Sequence, residues 1–226
     1  MAIIASGTPE QKAGLRDALL PRLDQASPLL CEVAASCFSR SLAHGLVADG
    51  DFTRLFRIFH NEDSRVREPI IVELRDHIQG SDETARKCLV DAGILPAILS
   101  AQSNETKDDL LSFMTTCVLP ILGPSFTQNN GGSTLFPLLT NEDSRIRTAA
   151  IQALKNAVDS RHGNVENMAK AGIVETLHPL TSTDDAIRDL WCRTLPKVAP
   201  LLTNRTEVDI LFENLKYVVV VVVCRT

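Results

Sequence analysis

Histidine, cysteine and paired Asp/Arg residues are the side chains of this chain that could do chemistry. His44, His60, His77, His162 and His178 would suit metal ligation or proton transfer. None stands in H-E-x-x-H or a comparable ligand spacing, so they read as solvated or partly packed side chains. Cys31, Cys37, Cys88, Cys117, Cys192 and Cys224 are spread singly, with no C-x-x-C pair. They predict buried, reduced thiols rather than a disulfide framework, a metal centre or a nucleophile. No G-x-S-x-G, phosphate-binding loop or dinucleotide fingerprint occurs. The sequence therefore offers no catalytic residue, metal ligand or cofactor site, and the expectation is a protein that is not an enzyme.

The charged pairs carry a different message. Asp63/Arg67, Asp143/Arg147 and Asp184/Arg188 share one spacing. An anion or acidic-peptide site would use such arginines. The preferred reading is structural, with Asp capping a helix start and Arg, one turn in, bridging neighbouring repeats.

That spacing belongs to a repeated phrase. Asn61-Glu62-Asp63-Ser64-Arg65-Val66-Arg67 returns 80 residues later as Asn141-Glu142-Asp143-Ser144-Arg145-Ile146-Arg147, and a degraded copy starts at Ser182. A second ladder runs through Gly14, Gly50, Gly93, Gly132 and Gly172 at intervals of about 40 residues. Lys12-Ala13-Gly14-Leu15, Asp91-Ala92-Gly93-Ile94 and Lys170-Ala171-Gly172-Ile173 are near copies. Each predicts a helix stopped by a left-handed glycine, with an apolar residue opening the next helix.

Apolar residues at helical spacing fill in the units. Val66, Ile70, Leu74 and Ile78 form one stripe, and Ile146, Ala149, Ala150, Ala153, Leu154 and Ala157 another. Leu110, Leu111, Met114 and Val118 form a third; Ile187, Leu190, Trp191, Leu195 and Val198 a fourth. Trp191 is expected in the core. Short helices are expected at 83–90 and 165–170, and residues 123–131 read as a polar loop in place of a short helix.

The run Glu166-Asn167-Met168-Ala169-Lys170-Ala171-Gly172-Ile173-Val174-Glu175-Thr176-Leu177 resembles the armadillo repeat, and Ala150 to Asn156 resembles that family's third helix. The acidic turn followed by Val-Arg or Ile-Arg is similar to the related HEAT repeat. The resemblance covers about residues 12–215. It implies an all-α, right-handed superhelical solenoid of about five armadillo/HEAT-like repeats. Units are expected near 12–50, 51–92, 93–131, 132–171 and 172–216, all in one domain of residues 1–216 followed by a tail at 217–226.

The resemblance also implies a peptide groove lined by the third helices, where asparagines hold a peptide backbone. The matching positions here are Asp76, Thr116 or Cys117, Asn156 and Lys197; only Asn156 keeps the family residue. One turn earlier stand Val72, Ser112 or Phe113, Gln152 and Arg193, none of them the Trp of nuclear-import adaptors. A nuclear-localisation-signal receptor is thus disfavoured. The candidate groove residues are Asp76, Thr116, Gln152, Asn156, Arg193 and Lys197, grading from acidic to basic.

Composition narrows the partners. The 226 residues are 44% apolar but only 4% aromatic, with net charge −5 and pI about 5.5. No basic block tracks phosphates, so nucleic acid is not expected. No stretch is read as approaching the roughly 18 apolar residues of a membrane span, and the N-terminus lacks a secretory signal pattern. A cytoplasmic or nuclear location follows, which makes the Asn104 and Asn204 glycosylation matches meaningless. The expected function is a non-catalytic scaffold that binds a partner protein or extended peptide through its concave face. The alternative is a fragment of a longer solenoid, because Val208, Leu211, Phe212 and Leu215 begin a sixth unit that stops. Its terminal edge would stack on further repeats or self-associate. Val218 to Val223 are six valines, read as an unstructured or misread tail, or as a strand that pairs with another chain.

Overall fold

A computed structural model describes residues 7–23, 40–102, 107–130, 132–160, 165–182 and 184–201. Cys31, Cys37, Cys224, His162, Asn104, Asn204, the start of a sixth unit and the valine tail lie outside the described residues. The described residues are helical and turn, with no strand among them. They divide into two compact units between Ile121 and Leu122.

The first unit contains α1 (Pro9–Leu23), α2 (Arg40–Ala48) and α3 (Phe52–Arg57), which runs into a 3-10 turn at Ile58–His60. Then come α4 (Ser64–Gly80), α5 (Glu83–Asp91), α6 (Ile94–Ala101) and α7 (Asp108–Phe113). A π-helical turn at Met114–Val118 joins α7 to α8 (Leu119–Asn130). The second unit goes on through a 3-10 turn at Phe136–Thr140 and α9 (Ser144–Asp159). Next are α10 (Val165–Lys170), α11 (Ile173–Leu177) with a 3-10 turn at His178–Leu180, and α12 (Asp185–Val198).

The glycine ladder sets the joints. Gly93 (φ 85°, ψ 36°) and Gly172 (φ 84°, ψ 35°) adopt the same left-handed conformation between a short helix and an apolar one. A β-carbon is strained there, which is why the chain spends glycine on it. Gly50 and Gly132 share the positive φ, whereas Gly14 does not. Gly14 sits inside α1, so the first step of the ladder is wrong. The local letters match, but the helix continues through them.

The repeated phrase is a helix-start module, built twice. Asn61 Oδ1 accepts the Asp63 N–H at 2.8 Å, and Asn141 Oδ1 the Asp143 N–H at 2.9 Å. Asp63 then caps α4 through the Arg65 N–H, and Asp143 caps α9 through the Arg145 N–H. Asp184 caps α12 in the same way. Arg65 and Arg145 return to grip the same carboxylates at 2.7 and 2.8 Å. Those paired guanidiniums hold the Asp63 and Asp143 carboxyls below their ordinary range.

The long helices bury the stripes their spacing predicts. Val66, Ile70, Leu74 and Ile78 are buried in the first unit, Ala150, Ala153, Leu154 and Ala157 in the second. Trp191 is buried too, beside His178. Leu195 is only half-buried. Full burial of such a side chain stabilises by roughly 1.5–3 kcal/mol, so these stripes dominate helix placement over propensity.

Residues 123–130 are helical, not a polar loop. Leu119, Leu122 and Phe126 point one apolar face inward, and Ser125 and Thr127 are buried with them. Gly123-Pro124 reads as a breaker in sequence, but packing holds the helix. The run from Asp108 to Gln128 is also long and apolar enough to cross a membrane, with a mean hydropathy of 1.5, contrary to the expectation above. That stretch is 67% buried within the protein, as a core helix would be. Pro120 has no N–H to give the carbonyl of Thr116. The π turn just before it absorbs the mismatch, with Thr115 and Thr116 hydroxyls donating to the Leu111 and Ser112 carbonyls at 2.9 and 2.6 Å.

Candidate functional site

In the second unit, α9 and α12 lie side by side and carry the basic half of the predicted groove. Residues 152, 155, 156 and 159 fall on one helical face, as do 189, 193 and 197. Gln152 is exposed and its Nε2 donates to Asn156 Oδ1 at 2.8 Å. Arg193 and Lys197 are exposed and meet on one carboxylate. Arg193 Nη1 is 3.2 Å from Asp159 Oδ2, and Lys197 Nζ is 3.3 Å from Asp159 Oδ1. The Lys197 ammonium also donates to the Val158 carbonyl at the end of α9.

Two further residues complete the strip. Lys155 Nζ lies 2.9 Å from Asp189 Oδ2, and Arg193 Nε donates to the same oxygen at 3.1 Å. The hydrogen bond from Lys155 and the neighbouring Arg193 lower the Asp189 pKa. Its hydrogen bond to Asp189, joined by Asp159, holds the Arg193 guanidinium more firmly protonated. Lys155, Asp159 and Asp189 were not singled out from sequence. The Asp189/Arg193 pair at i,i+4 was legible; the cross-helix partners were not. The strip thus alternates sign, and its cations are already engaged by aspartates.

Asp76 and Thr116 belong to the first unit. Asp76 is exposed on α4, and Thr116 is exposed in the π turn while Cys117 is buried. Of the two candidates at that position, Thr116 is the exposed one. Burial pushes the Cys117 thiol up to about 11, which removes it as a nucleophile near neutral pH. Cys88 and Cys192 are exposed free thiols, contrary to the expectation that the cysteines are buried.

Among the described residues, the Asp/Arg spacing bridges repeats once. Arg67, 4% exposed, sends Nε and Nη2 to the two oxygens of Asp109, at 2.8 and 2.9 Å. Lys107, 7% exposed, reaches the His60 carbonyl at 3.2 Å and Glu62 at 3.1 Å. Among the described residues, Arg147 bonds to the carbonyls of Asn141 and Glu142, and Arg188 to Asp185 and the Thr181 carbonyl.

Among the described residues, no group of three His, Cys, Asp or Glu could hold a metal ion. A cleft of about 260 Å³ opens between α1 and α2, with Lys12, Arg16, His44 and Asp49 on its wall. Arg16 Nη1 is 2.6 Å from Asp49, and His44 pairs with Glu73.

No family model and no curated protein matches the sequence. Several solved structures are similar to this chain. A crystal structure of an engineered protein shares 23% identity over 88% of this chain and 87% of its own, with a TM-score of 0.48. A designed armadillo repeat protein in complex with the peptide (KR)4 shares 17% identity over 87% of this chain and 89% of its own, with a TM-score of 0.49. A further designed armadillo repeat protein shares 18% identity over 87% and 90%, with a TM-score of 0.46. The repeat layout described above is that of an all-helical repeat and is similar to the armadillo repeat. Around Gly50 and Gly172 the order is short helix, left-handed glycine, second short helix, capped turn and long helix.

Proposed function

We propose that the chain is a non-catalytic scaffold that binds an extended segment of a partner protein along the exposed faces of its long helices, on the concave side implied by the armadillo resemblance. The observation that carries this reading is the α9/α12 strip. Gln152 and Asn156 offer amide donors and acceptors at i,i+4, flanked by Arg193 and Lys197. An acidic residue of a partner would compete with Asp159 for those two cations. One binding domain over residues 1–216 belongs to this proposal, with Asp76 and Thr116 as its candidate groove residues in the first unit. A net charge of −5 supports a protein partner over nucleic acid, and a cytoplasmic or nuclear location belongs to the same proposal.

The test is a random peptide display screen on the purified chain, repeated with an Arg193→Glu/Lys197→Glu double variant of unchanged helix content. Selected peptides should carry acidic residues and lose affinity for the double variant. Peptides that bind both proteins equally would place the binding surface elsewhere.

A further inference from the structure

The two copies of the repeated phrase end differently, and the difference leaves one arginine half used. In the first unit the Arg67 guanidinium is fully committed. Nη1 donates to the Asn61 carbonyl, and Nε and Nη2 clamp Asp109, the second residue of α7. In the second unit Arg147 repeats the first contact, Nη1 to the Asn141 carbonyl at 2.7 Å, and adds the Glu142 carbonyl at 2.9 Å. The second residue of α12 is Ala186, which is exposed. No carboxylate meets Arg147 Nε or Nη2 among the described residues. The neighbouring pair diverges as well. Glu62 is held by Lys107, but the residue before α12 is Asp184 and Glu142 has no ion-pair partner among the described residues.

We infer that the Arg147 fork, at the start of α9, binds a carboxylate side chain of a partner protein segment that also carries a lysine or arginine to meet Glu142. The chain's own first unit supplies the template: two parallel N–H···O contacts from a guanidinium to one carboxylate, with an ammonium on the adjacent glutamate. Such a fork-to-fork pair is both directional and charge-assisted. The partner's cation matters because Glu142 and Asp185 would repel a purely acidic segment. This site is separate from the α9/α12 strip and does not depend on it. The Asp143 cap and the Arg145 grip already satisfy the start of α9, so the fork, not the helix end, is the reading element.

The probe is a capped Lys-Asp-Asp-Leu-Leu peptide, the chain's own residues 107–111, titrated against the whole protein while the Arg147 Nε–H resonance is followed by NMR. A saturable shift is expected. Replacing the peptide's second Asp by Asn should weaken binding about tenfold or more, the loss typical of a hydrogen-bonded charge. Arg147→Gln should abolish it. Ala186→Asp, which puts an aspartate at the α12 position that matches Asp109 in α7, should also abolish it while raising Tm, and should raise no Tm in an Arg147→Gln background. Arg193→Glu/Lys197→Glu should leave the shift unchanged, so this site and the helix-face site fail independently. No saturable shift up to about 10 mM peptide, or binding that survives Ala186→Asp, would overturn the inference.

Discussion

Gly123 and Ala153 meet backbone to backbone. A β-carbon on Gly123 would lie 2.7 Å from the Ala153 carbonyl oxygen and 3.0 Å from its Cα. No side-chain rotation relieves that contact, so α8 or α9 must move. Gly123→Ala should therefore destabilise by about 1–3 kcal/mol, the usual cost of overpacking. Helix propensity alone would favour Ala by up to about 1 kcal/mol. Urea unfolding measures the sign, and a stabilised variant would mean the two helices are not this close.

Lys107 closes the end of a helix that lies almost 50 residues earlier. Its ammonium donates to the Phe59 and His60 carbonyls and pairs with Glu62. Lys107→Ala strands two carbonyls in a mostly buried place, for an expected loss of about 1–3 kcal/mol. Glu62→Ala, on the exposed side of the pair, should cost less than about 1 kcal/mol. Comparing the two denaturation midpoints separates carbonyl capping from ion pairing.

Acid should weaken the fold late. Asp63, Asp143 and Asp189 have pKa values lowered from 3.8 by hydrogen bonds from Arg65, Arg145 and Lys155. Their stabilisation is fully present above the unfolded value and is lost as pH falls through the lower folded values. The urea midpoint should hold from neutral pH down to about 4 on this account and drop below it. In an Asp63→Asn/Asp143→Asn variant the midpoint should be lower at neutral pH and the acid drop shallower. An unchanged acid profile in that variant would remove these caps as its cause.

Thiol reactivity should sort by burial. Cys117 is enclosed and its pKa is raised to about 11, whereas Cys88 and Cys192 are exposed. A thiol-specific alkylating reagent near pH 8 should label Cys88 and Cys192 in the folded protein and reach Cys117 only in denaturant. Peptide mapping reads this directly, and early labelling of Cys117 would contradict the buried π turn.

Much of the fold was legible because its determinants are local. A left-handed glycine at Gly93 or Gly172, an Asp cap at Asp63 or Asp143, and an apolar stripe from Ile146 to Ala157 each act within one or two helical turns. Their consequences could be read from types and spacing. Gly14 shows the limit, since Lys-Ala-Gly-Leu is compatible with a helix stop and with helix interior, and glycine permits both. Residues 123–130 fail for the opposite reason. Gly-Pro marks a break locally, but burial of Leu122 and Phe126 and the close approach to Ala153 outweigh it. The candidate site divides the same way. Gln152, Asn156, Arg193 and Lys197 were identified by helical position, while their engagement by Asp159 and Asp189 depends on which helix lies alongside. Only tertiary structure decided that Arg67 would find Asp109 and that Arg147 would turn to the Asn141 and Glu142 carbonyls. Identical residues in a repeated phrase acquire different partners because ion pairing at a few ångströms is set by the neighbouring repeat, which the phrase itself does not encode.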